Sequence, residues 1–308
     1  MKKISGRYSK IKIKDKAYYS KPKSKISKFP NKYLFIPLIA SNIIFLIIIV
    51  NMLYKNNKNN NISKDDNEFK LNLDNLDKFE TNVYNKIKDI LKQKKCSLMW
   101  KNQRQFLNGL VRKFKPKKIL ELGVMRGGSS SVILNAIQDI PNSHLYSIDI
   151  SNSNDIGKCV YKYFPEFKNK WTLFKGCVAA TFMENIGNEI DMALFDTSHF
   201  EPGEILDFLM VLPFLKEEAV ISFHDIGNQI NFAGEPETRH EWAPYIIFNL
   251  VRGKKFYPSG DNMLLQDIGG IILDKNQKRY FLDYFRALGG QWEYFLNENH
   301  ISSIRDFF

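Results

Sequence analysis

The chain has 308 residues, of which 44% are hydrophobic, so it can bury the core of one large domain or two small ones. Its formal net charge is +12, but residues 1–32 hold twelve Lys or Arg and one acid and therefore carry +11 of it. The rest of the chain, residues 33–308, is therefore close to neutral, and we do not expect it to bind nucleic acid.

Residues 34–53 form an uncharged apolar run of roughly the length that a helix needs to cross the hydrocarbon core. A soluble helix would show a polar face, and no small-residue cleavage site follows the run. We therefore expect a single-pass signal anchor over residues 33–54, followed by a polar stem at 55–66. The positive charge of residues 1–32 predicts a cytosolic N-terminus, and the side on which the catalytic body lies stays open.

The three cysteines of the chain, Cys96, Cys159 and Cys177, are an odd number without CxxC spacing. This spacing indicates neither a zinc site nor a disulfide framework. We predict three small, buried or half-buried thiols, which leave the redox compartment undecided.

Residues 67–308 are expected to form one domain that begins with a helical extension. Apolar residues recur at three- and four-residue steps from Phe69 to Leu91, and again from Phe106 to Phe114. This spacing predicts two amphipathic helices, and Pro116 ends the second of them.

Strands and helices alternate after Pro116. The predicted strands are Ile119–Leu122, Leu145–Asp149, Trp171–Lys175, Met192–Asp196, Ala219–Phe223 and Ile268–Leu273. The predicted helices cover residues 132–140, 156–164, 205–215, 240–251 and 278–288. Successive strand-then-helix units predict an α/β fold with a doubly wound, mostly parallel sheet and right-handed crossovers.

A glycine turn joins the first predicted strand to the first helix after it. Gly123 lets the backbone turn sharply and lets a ligand approach closely. The serines at 129–131 suit a helix N-terminus, where their oxygens can satisfy free backbone N–H groups. Open α/β sheets bind ligands at this kind of turn, at the carboxyl end of a strand.

Acidic residues end most of the predicted parallel strands. They are Glu121, Asp149, Asp196 and, directly after His224, Asp225. His199 follows Asp196 by three residues, and all these side chains are expected along one edge of the sheet. Asp149 can accept hydrogen bonds from both hydroxyls of a ribose. Glu121 would repel a pyrophosphate, so the site favours a cationic ligand without phosphates, such as a sulfonium.

This combination resembles the class I AdoMet-dependent methyltransferases, and among them the macrocin O-methyltransferase-like and cephalosporin-hydroxylase-like enzymes. The turn from Glu121 to Ser130 resembles the family's acid-x-Gly motif. The segment Phe195–Phe200 is similar to its strand-four "I-D-G-x-H-x-Y", and Val220–Asp225 to its strand-five "I-x-x-H-D". The resemblance covers roughly residues 97–275, with departures at Thr197 and Cys177.

The resemblance implies a seven-stranded, Rossmann-like enzyme that moves a methyl group from AdoMet to a hydroxyl of a sugar or other small molecule. The residues it implies for cofactor binding are Glu121, Gly123, Gly127, Gly128, Ser129 and Asp149. It implies that Asp196 and Asp225 bind Mg²⁺ or another divalent cation. It also implies that His224 or His199 acts as general base.

Other interpretations stay open. The same sheet could serve a nicotinamide-dependent oxidoreductase, or a non-catalytic, membrane-anchored interaction module. His199 could simply cap the helix that starts near Pro202, and His224 could bond backbone groups. We expect a small-molecule or glycan substrate, and the sequence leaves the methyl acceptor and the oligomeric state undefined.

Overall fold

A computed structural model describes residues 72–199, 202–227, 242–259 and 267–289. The predicted basic tail, membrane anchor and stem lie outside the described residues. In the part of the chain that is described, every helix is too short or too polar to span a bilayer. The described residues all belong to one compact unit, Leu71–Phe308.

Seven strands form a single sheet in the order β3-β2-β1-β4-β5-β7-β6. They are β1 Lys118–Leu122, β2 His144–Asp149, β3 Trp171–Lys175, β4 Ile190–Phe195, β5 Leu215–His224, β6 Gly253–Phe256 and β7 Ile268–Leu273. Strands β1 to β5 pair in parallel, and β7 pairs antiparallel with both β5 and β6. The predicted seven-stranded, mostly parallel sheet is confirmed.

The strand order reverses at β1, which pairs with β2 on one side and β4 on the other. Such a reversal opens a crevice at the carboxyl ends of the strands. The predicted glycine turn follows β1 at this point. The N–H of Gly123 donates to the carbonyl of Ile148, on β2, at 2.9 Å. The topology therefore places the turn where ligands enter this class of sheet.

Helices cover both faces of the sheet. Their bounds are α1 Thr81–Asn85, α2 Lys88–Gln93, α3 Lys101–Phe114, α4 Gly128–Ala136, α5 Lys158–Tyr163, α6 Met183–Ile186, α7 Gly203–Val211, α8 Ala243–Leu250 and α9 Phe281–Phe285. Short 3₁₀ turns lie at Leu76–Lys78, Pro165–Lys170, Ala179–Thr181, Leu212–Phe214, Gln277–Tyr280 and Arg286–Gly289. Buried apolar side chains form one cluster on each face of the sheet. Central strands enclosed on both faces need continuous apolar runs, and this is why their sequences predicted them well.

The first predicted helix, from Phe69 to Leu91, is wrong as a single element. Asn75 and Glu80 adopt left-handed backbone angles, with φ of 56° and 45°, and these break the run into a 3₁₀ turn and two short helices. The second predicted helix is confirmed as α3. It ends where Lys115 turns left-handed, just before Pro116.

The prediction missed strand β6. Its sequence is Gly-Lys-Lys-Phe, and it lies at the edge of the sheet. Edge strands often carry lysine because charge discourages pairing with other chains. Such a polar strand lacks the apolar pattern by which the central strands were found.

Two of the three cysteines form a disulfide, so the prediction of three separate thiols is wrong. Cys96 and Cys159 are bonded across 63 residues, with a Cα–Cα distance of 5.8 Å, and Cys177 is free. Their spacing gave no sign of this, because only the packing of α5 beside the turn that follows α2 brings them together.

Helix α3 contains a glycine whose replacement tests the packing of the helical extension. Gly109 lies against the backbone of Leu76, and a Cβ added there would fall 1.7 Å from the Leu76 carbonyl oxygen. Gly→Ala in a helix normally stabilises by about 1 kcal/mol. We expect Gly109→Ala instead to destabilise by about 2 kcal/mol, because the Leu76 backbone must move.

Urea denaturation followed by circular dichroism measures this free energy of unfolding. Asn102→Ala, at an exposed position of the same helix, is the matched control and should change it by less than about 0.5 kcal/mol. Stabilisation by Gly109→Ala would show that the extension does not pack this closely on α3.

Candidate active site

The loop from Gly123 to Gly128 connects β1 to α4. Gly123 has a φ of +84°, and a Cβ there would lie 1.7 Å from the carbonyl oxygen of Asp196. Gly127 has a φ of +85° and precedes α4 as its N-cap. Glycine is thus required at 123 both by the backbone angle and by the contact with the end of β4.

Asp149, at the end of β2, holds this loop. Its Oδ2 accepts hydrogen bonds from the backbone N–H of Val124 at 3.0 Å and of Met125 at 2.9 Å. Its Oδ1 accepts one from the N–H of Ser151 at 2.8 Å. A carboxylate can accept about four hydrogen bonds, so one position is left for a ligand. The predicted ribose contact of Asp149 stays a prediction.

Glu121 lies beneath the loop and is fully buried. Its carboxylate accepts hydrogen bonds from the hydroxyls of Ser129, Ser130 and Ser147, each at 2.6 Å. The indole N–H of Trp171 donates in turn to Ser147 Oγ at 2.8 Å. Burial raises the pKa of Glu121 to about 7, although the three hydroxyls act in the opposite direction.

The serines at the start of α4 therefore serve Glu121 and do not cap the helix as expected. Gly127 is the N-cap residue and makes no side-chain cap hydrogen bond, while Ser131 Oγ donates to the Gly127 carbonyl at 2.6 Å. Glu121 thus ties β1 to α4 and β2. Its contact with the methionine part of AdoMet, like the cofactor contacts of Gly128 and Ser129, stays a prediction.

A second group of side chains lies at the ends of β4 and β5. His199 Nε2 is 2.8 Å from Asp225 Oδ2 and 3.6 Å from Asp196 Oδ1. His224 Nδ1 is 3.0 Å from Asp225 Oδ2 and 3.3 Å from Asp196 Oδ1. The structure therefore brings together all four residues that the sequence analysis placed here. Asp225 adopts a left-handed φ of 57°, which is uncommon outside glycine and occurs often at functional sites.

The ring nitrogens of this group are buried without a hydrogen-bond partner. His199 Nε2, His224 Nδ1 and His224 Nε2 have none in the described chain, although oxygens lie close to the first two. One nitrogen or oxygen from each of Asp196, His199 and Asp225 lies within 4.8 Å of the others. Imidazole nitrogens and carboxylate oxygens that converge in this way are suitable ligands for a divalent cation, so these residues fit a metal.

The charges in this group stabilise one another. Burial disfavours the charged form of both histidines, but Asp225 and Asp196 outweigh it and raise the pKa of His199 and of His224 well above 6.5. Burial likewise opposes ionisation of Asp225, and the charges of His224 and His199 hold the pKa of that carboxyl well below its usual range. Without a cation, the aspartates are thus compensated by protonated imidazoles.

Asp267 belongs to this group, and the sequence analysis missed it. It is buried, and its carboxylate accepts hydrogen bonds from the Gly227 N–H at 3.0 Å and from Gln103 Nε2 at 3.3 Å. Donor atoms of Asp267, His224 and Asp225 lie within 4.8 Å of one another. Burial, with the nearby charge of Asp225, raises the pKa of Asp267 to about 7. Asp267 precedes β7, and only the antiparallel course of that strand brings it to this edge.

Glu204, on α7, was also missed. It is fully buried, and within the described residues neither of its carboxylate oxygens has a hydrogen-bond partner. Burial raises the pKa of Glu204 well above 4.5, and the charge of His199 acts in the opposite direction. An acid inside the apolar sequence Gly-Glu-Ile-Leu-Asp-Phe-Leu was the available signal, because such a residue is rarely buried without a role.

A cavity of about 260 Å³ lies away from this edge, at the amino ends of the strands. It is lined in part by Lys117, Asp191 and Lys216. Asp191 already accepts hydrogen bonds from the Lys117 N–H at 3.0 Å and from Lys216 Nζ at 2.6 Å. These polar groups satisfy one another, so they are not free to bind a ligand.

Part of the chain matches a known protein family. Residues 120–226, which contain both the glycine loop and the histidine–aspartate group, match the family model described as a methyltransferase domain. No curated protein matches the chain. The chain also resembles several solved structures at low sequence identity.

Three of these structures illustrate the similarity. An O-methyltransferase from Bacillus cereus, in complex with SAH, is 14% identical, with 62% of this chain and 90% of that chain covered and a TM-score of 0.46. TomG from Streptomyces achromogenes, an O-methyltransferase of tomaymycin synthesis in complex with SAM, is 16% identical, with 62% and 89% covered and a TM-score of 0.46. The SAH-bound methyltransferase PaMTH1 of Podospora anserina is 13% identical, with 81% and 100% covered and a TM-score of 0.46.

The sheet has the strand order of a Rossmann-like methyltransferase fold. The match of residues 120–226 to a methyltransferase domain supports an AdoMet-dependent methyltransferase. The assignment depends on that match and on the topology, and the resemblance inferred from the sequence motifs is confirmed.

The variant Glu121→Gln tests the buried carboxyl beneath the loop. The pKa of Glu121 is raised from its ordinary 4.5 to about 7 in the folded chain, so the proton is held more tightly there than in the unfolded chain. Its contribution to stability is complete below pH 4.5 and is lost as the pH rises through 7. A shift of this size corresponds to on the order of 3 kcal/mol.

We therefore expect the free energy of unfolding of the natural chain, relative to that of Glu121→Gln, to decrease by about 3 kcal/mol between pH 4.5 and pH 8. Urea titrations of both proteins over this range measure the difference. A difference that stays constant with pH would contradict the raised pKa.

Proposed function

We propose that this methyltransferase transfers the methyl group of AdoMet to a hydroxyl of a sugar or other small molecule, with the assistance of a divalent cation. The observation that supports it best is the convergence of Asp196, His199, His224 and Asp225 beside the glycine loop. A proton-removing group and an electropositive centre next to a methyl donor are what hydroxyl methylation needs.

AdoMet, when bound, supplies an electrophilic methyl group on a positively charged sulfur. In our proposal the loop from Gly123 to Ser129 lies along the methionine part, where its three glycines permit close approach. Asp149 accepts from a ribose hydroxyl with its remaining hydrogen-bonding position, while it keeps the loop amides in place.

Asp196 and Asp225 would hold the divalent cation. The neighbouring ring nitrogens of His199 and His224 make no hydrogen bond within the described chain, and this supports the assignment. The cation would lower the pKa of a substrate hydroxyl. The mixture of imidazole nitrogen and carboxylate oxygen suits Mn²⁺ or Zn²⁺ as well as Mg²⁺. His199 and His224 lie at hydrogen-bonding distance from the aspartates, and whichever does not bind the cation is placed to accept the hydroxyl proton.

The acceptor is proposed to be a small molecule or a glycan, as the family resemblance implies, and the almost uncharged body of the chain disfavours a nucleic acid. The uncharged run at 34–53 would anchor the enzyme in a membrane, with the basic tail in the cytosol. Protease protection of the body in sealed vesicles tests which side it faces.

Isothermal titration of the full-length chain tests the cofactor of the proposed reaction. We expect AdoMet to bind and NADH not to bind, because Glu121 lies beneath the loop and, when ionised, repels a pyrophosphate but attracts a sulfonium. Binding of NADH together with no binding of AdoMet would favour an oxidoreductase on the same sheet and would overturn the proposal.

The variants Asp196→Asn and Asp225→Asn test the cation. Each removes one charged ligand, so we expect each to lower cation affinity and methyl transfer by at least about 100-fold, and excess EDTA to abolish methyl transfer by the natural chain. Titration with Mn²⁺ and Mg²⁺ measures the affinity, and a methyl-transfer assay measures the rate.

Asp191→Asn makes the same chemical change on β4 at the opposite edge of the sheet and is the matched control. It should retain both cation affinity and methyl transfer. Full activity of the natural chain in excess EDTA would show that the cation has no part in the reaction.

A further inference from the structure

The Cys96–Cys159 disulfide lies beside the loop that binds the cofactor. Cys96 is in the turn after α2, Cys159 is in the first turn of α5, and both are buried. The two segments they join are therefore held together covalently, although 63 residues of chain separate them. The loop from Gly123 to Gly128 contacts both segments.

The segment of Cys96 packs against one side of the loop. Arg126 donates from Nη1 to the carbonyl of Lys95 at 3.0 Å. Gly128 lies so close to this segment that an added Cβ would fall 2.4 Å from Ser97 Cβ and 2.6 Å from the Cys96 carbonyl oxygen. The beginning of α4 thus depends on the position of residues 95–97.

The segment of Cys159 packs against the other side. The N–H of Cys159 donates to the Arg126 carbonyl at 2.9 Å, and the N–H of Gly157 donates to the Met125 carbonyl at 2.8 Å. A Cβ added at Gly127 would fall 3.2 Å from the Cα of Gly157. Arg126 therefore bonds both segments, through its side chain on one side and its carbonyl on the other.

We propose that the Cys96–Cys159 pair is a redox modification site that controls AdoMet affinity by clamping residues 125–128 between the two segments. The proposal rests on the proposed function only in that AdoMet lies along this loop. With the disulfide formed, the loop is held in its binding conformation before the ligand arrives. With the two thiols reduced, binding must supply the free energy that orders the loop.

The covalent step is a thiol–disulfide exchange. The two thiols lose two protons and two electrons to a disulfide of a protein or small-molecule oxidant, and that disulfide is reduced to two thiols. Such oxidants act in secretory, periplasmic and extracellular compartments. The basic tail before the apolar run at 34–53 favours the same side of the membrane for the catalytic body.

Peptide mapping of the full-length chain tests the bond itself. After alkylation without reductant, we expect the peptides of Cys96 and Cys159 to be recovered joined and Cys177 to be alkylated. Recovery of alkylated Cys96 and Cys159 from chain produced in an oxidising compartment would overturn the proposal.

Titration with AdoMet before reduction, after reduction and after reoxidation tests the effect on affinity. We expect reduction to weaken AdoMet binding by roughly tenfold, which is the loss expected when one or two loop residues are no longer pre-ordered. Reoxidation should restore the affinity. Cys177→Ser is the matched control and should show the same ratio between the two states.

The variant Cys96→Ser/Cys159→Ser should bind AdoMet as the reduced natural chain does and should no longer respond to reductant. Circular dichroism of the reduced natural chain shows whether it stays folded, so the measurement does not depend on the double variant alone. Equal AdoMet affinity in the oxidised and reduced states, within about twofold, would overturn the clamp. Lack of AdoMet binding in every state would instead overturn the cofactor assignment.

Discussion

The contact between Gly123 and the carbonyl of Asp196 is the constraint on which the active site depends. There is no room for a Cβ between them, and the N–H of Asp196 donates to the carbonyl of Leu122 at 2.9 Å. The end of β1 therefore sets the position of the end of β4. Through this one contact the glycine loop and the histidine–aspartate group are held in a single arrangement, as the proposed in-line transfer of a methyl group requires.

Buried carboxyl groups in this protein fall into two kinds. Glu121 accepts three serine hydroxyls and Asp149 accepts three backbone amides, so each is satisfied by the chain and organises the loop. Glu204, in contrast, has no hydrogen-bond partner among the described residues, and Asp225 meets ring nitrogens that make no hydrogen bond. The first kind holds the loop in place, with one hydrogen-bonding position of Asp149 left over, and the second leaves polar atoms available for a ligand.

Much of this site could be predicted because its residues follow apolar strands. Asp149, Asp196 and Asp225 each lie at the end of a strand or just past it, and parallel strands bring such residues to one edge. Asp267 could not be found in this way, since it precedes a strand and reaches the same edge only because β7 runs antiparallel. Glu204 lies on a helix, so the apolar pattern that locates the ends of strands could not indicate it.

The sequence by itself determined the parallel sheet, the glycine turn and the set of acids at its edge, because apolar runs and strand-end residues are local features. Only the tertiary structure decided which partners those residues meet. It directed the serines of α4 to Glu121 and paired Cys96 with Cys159. It also brought Asp267 and Glu204 to the candidate site. The physical reason is that each of these contacts joins elements distant along the chain, and their proximity depends on how the strands are ordered and the helices packed.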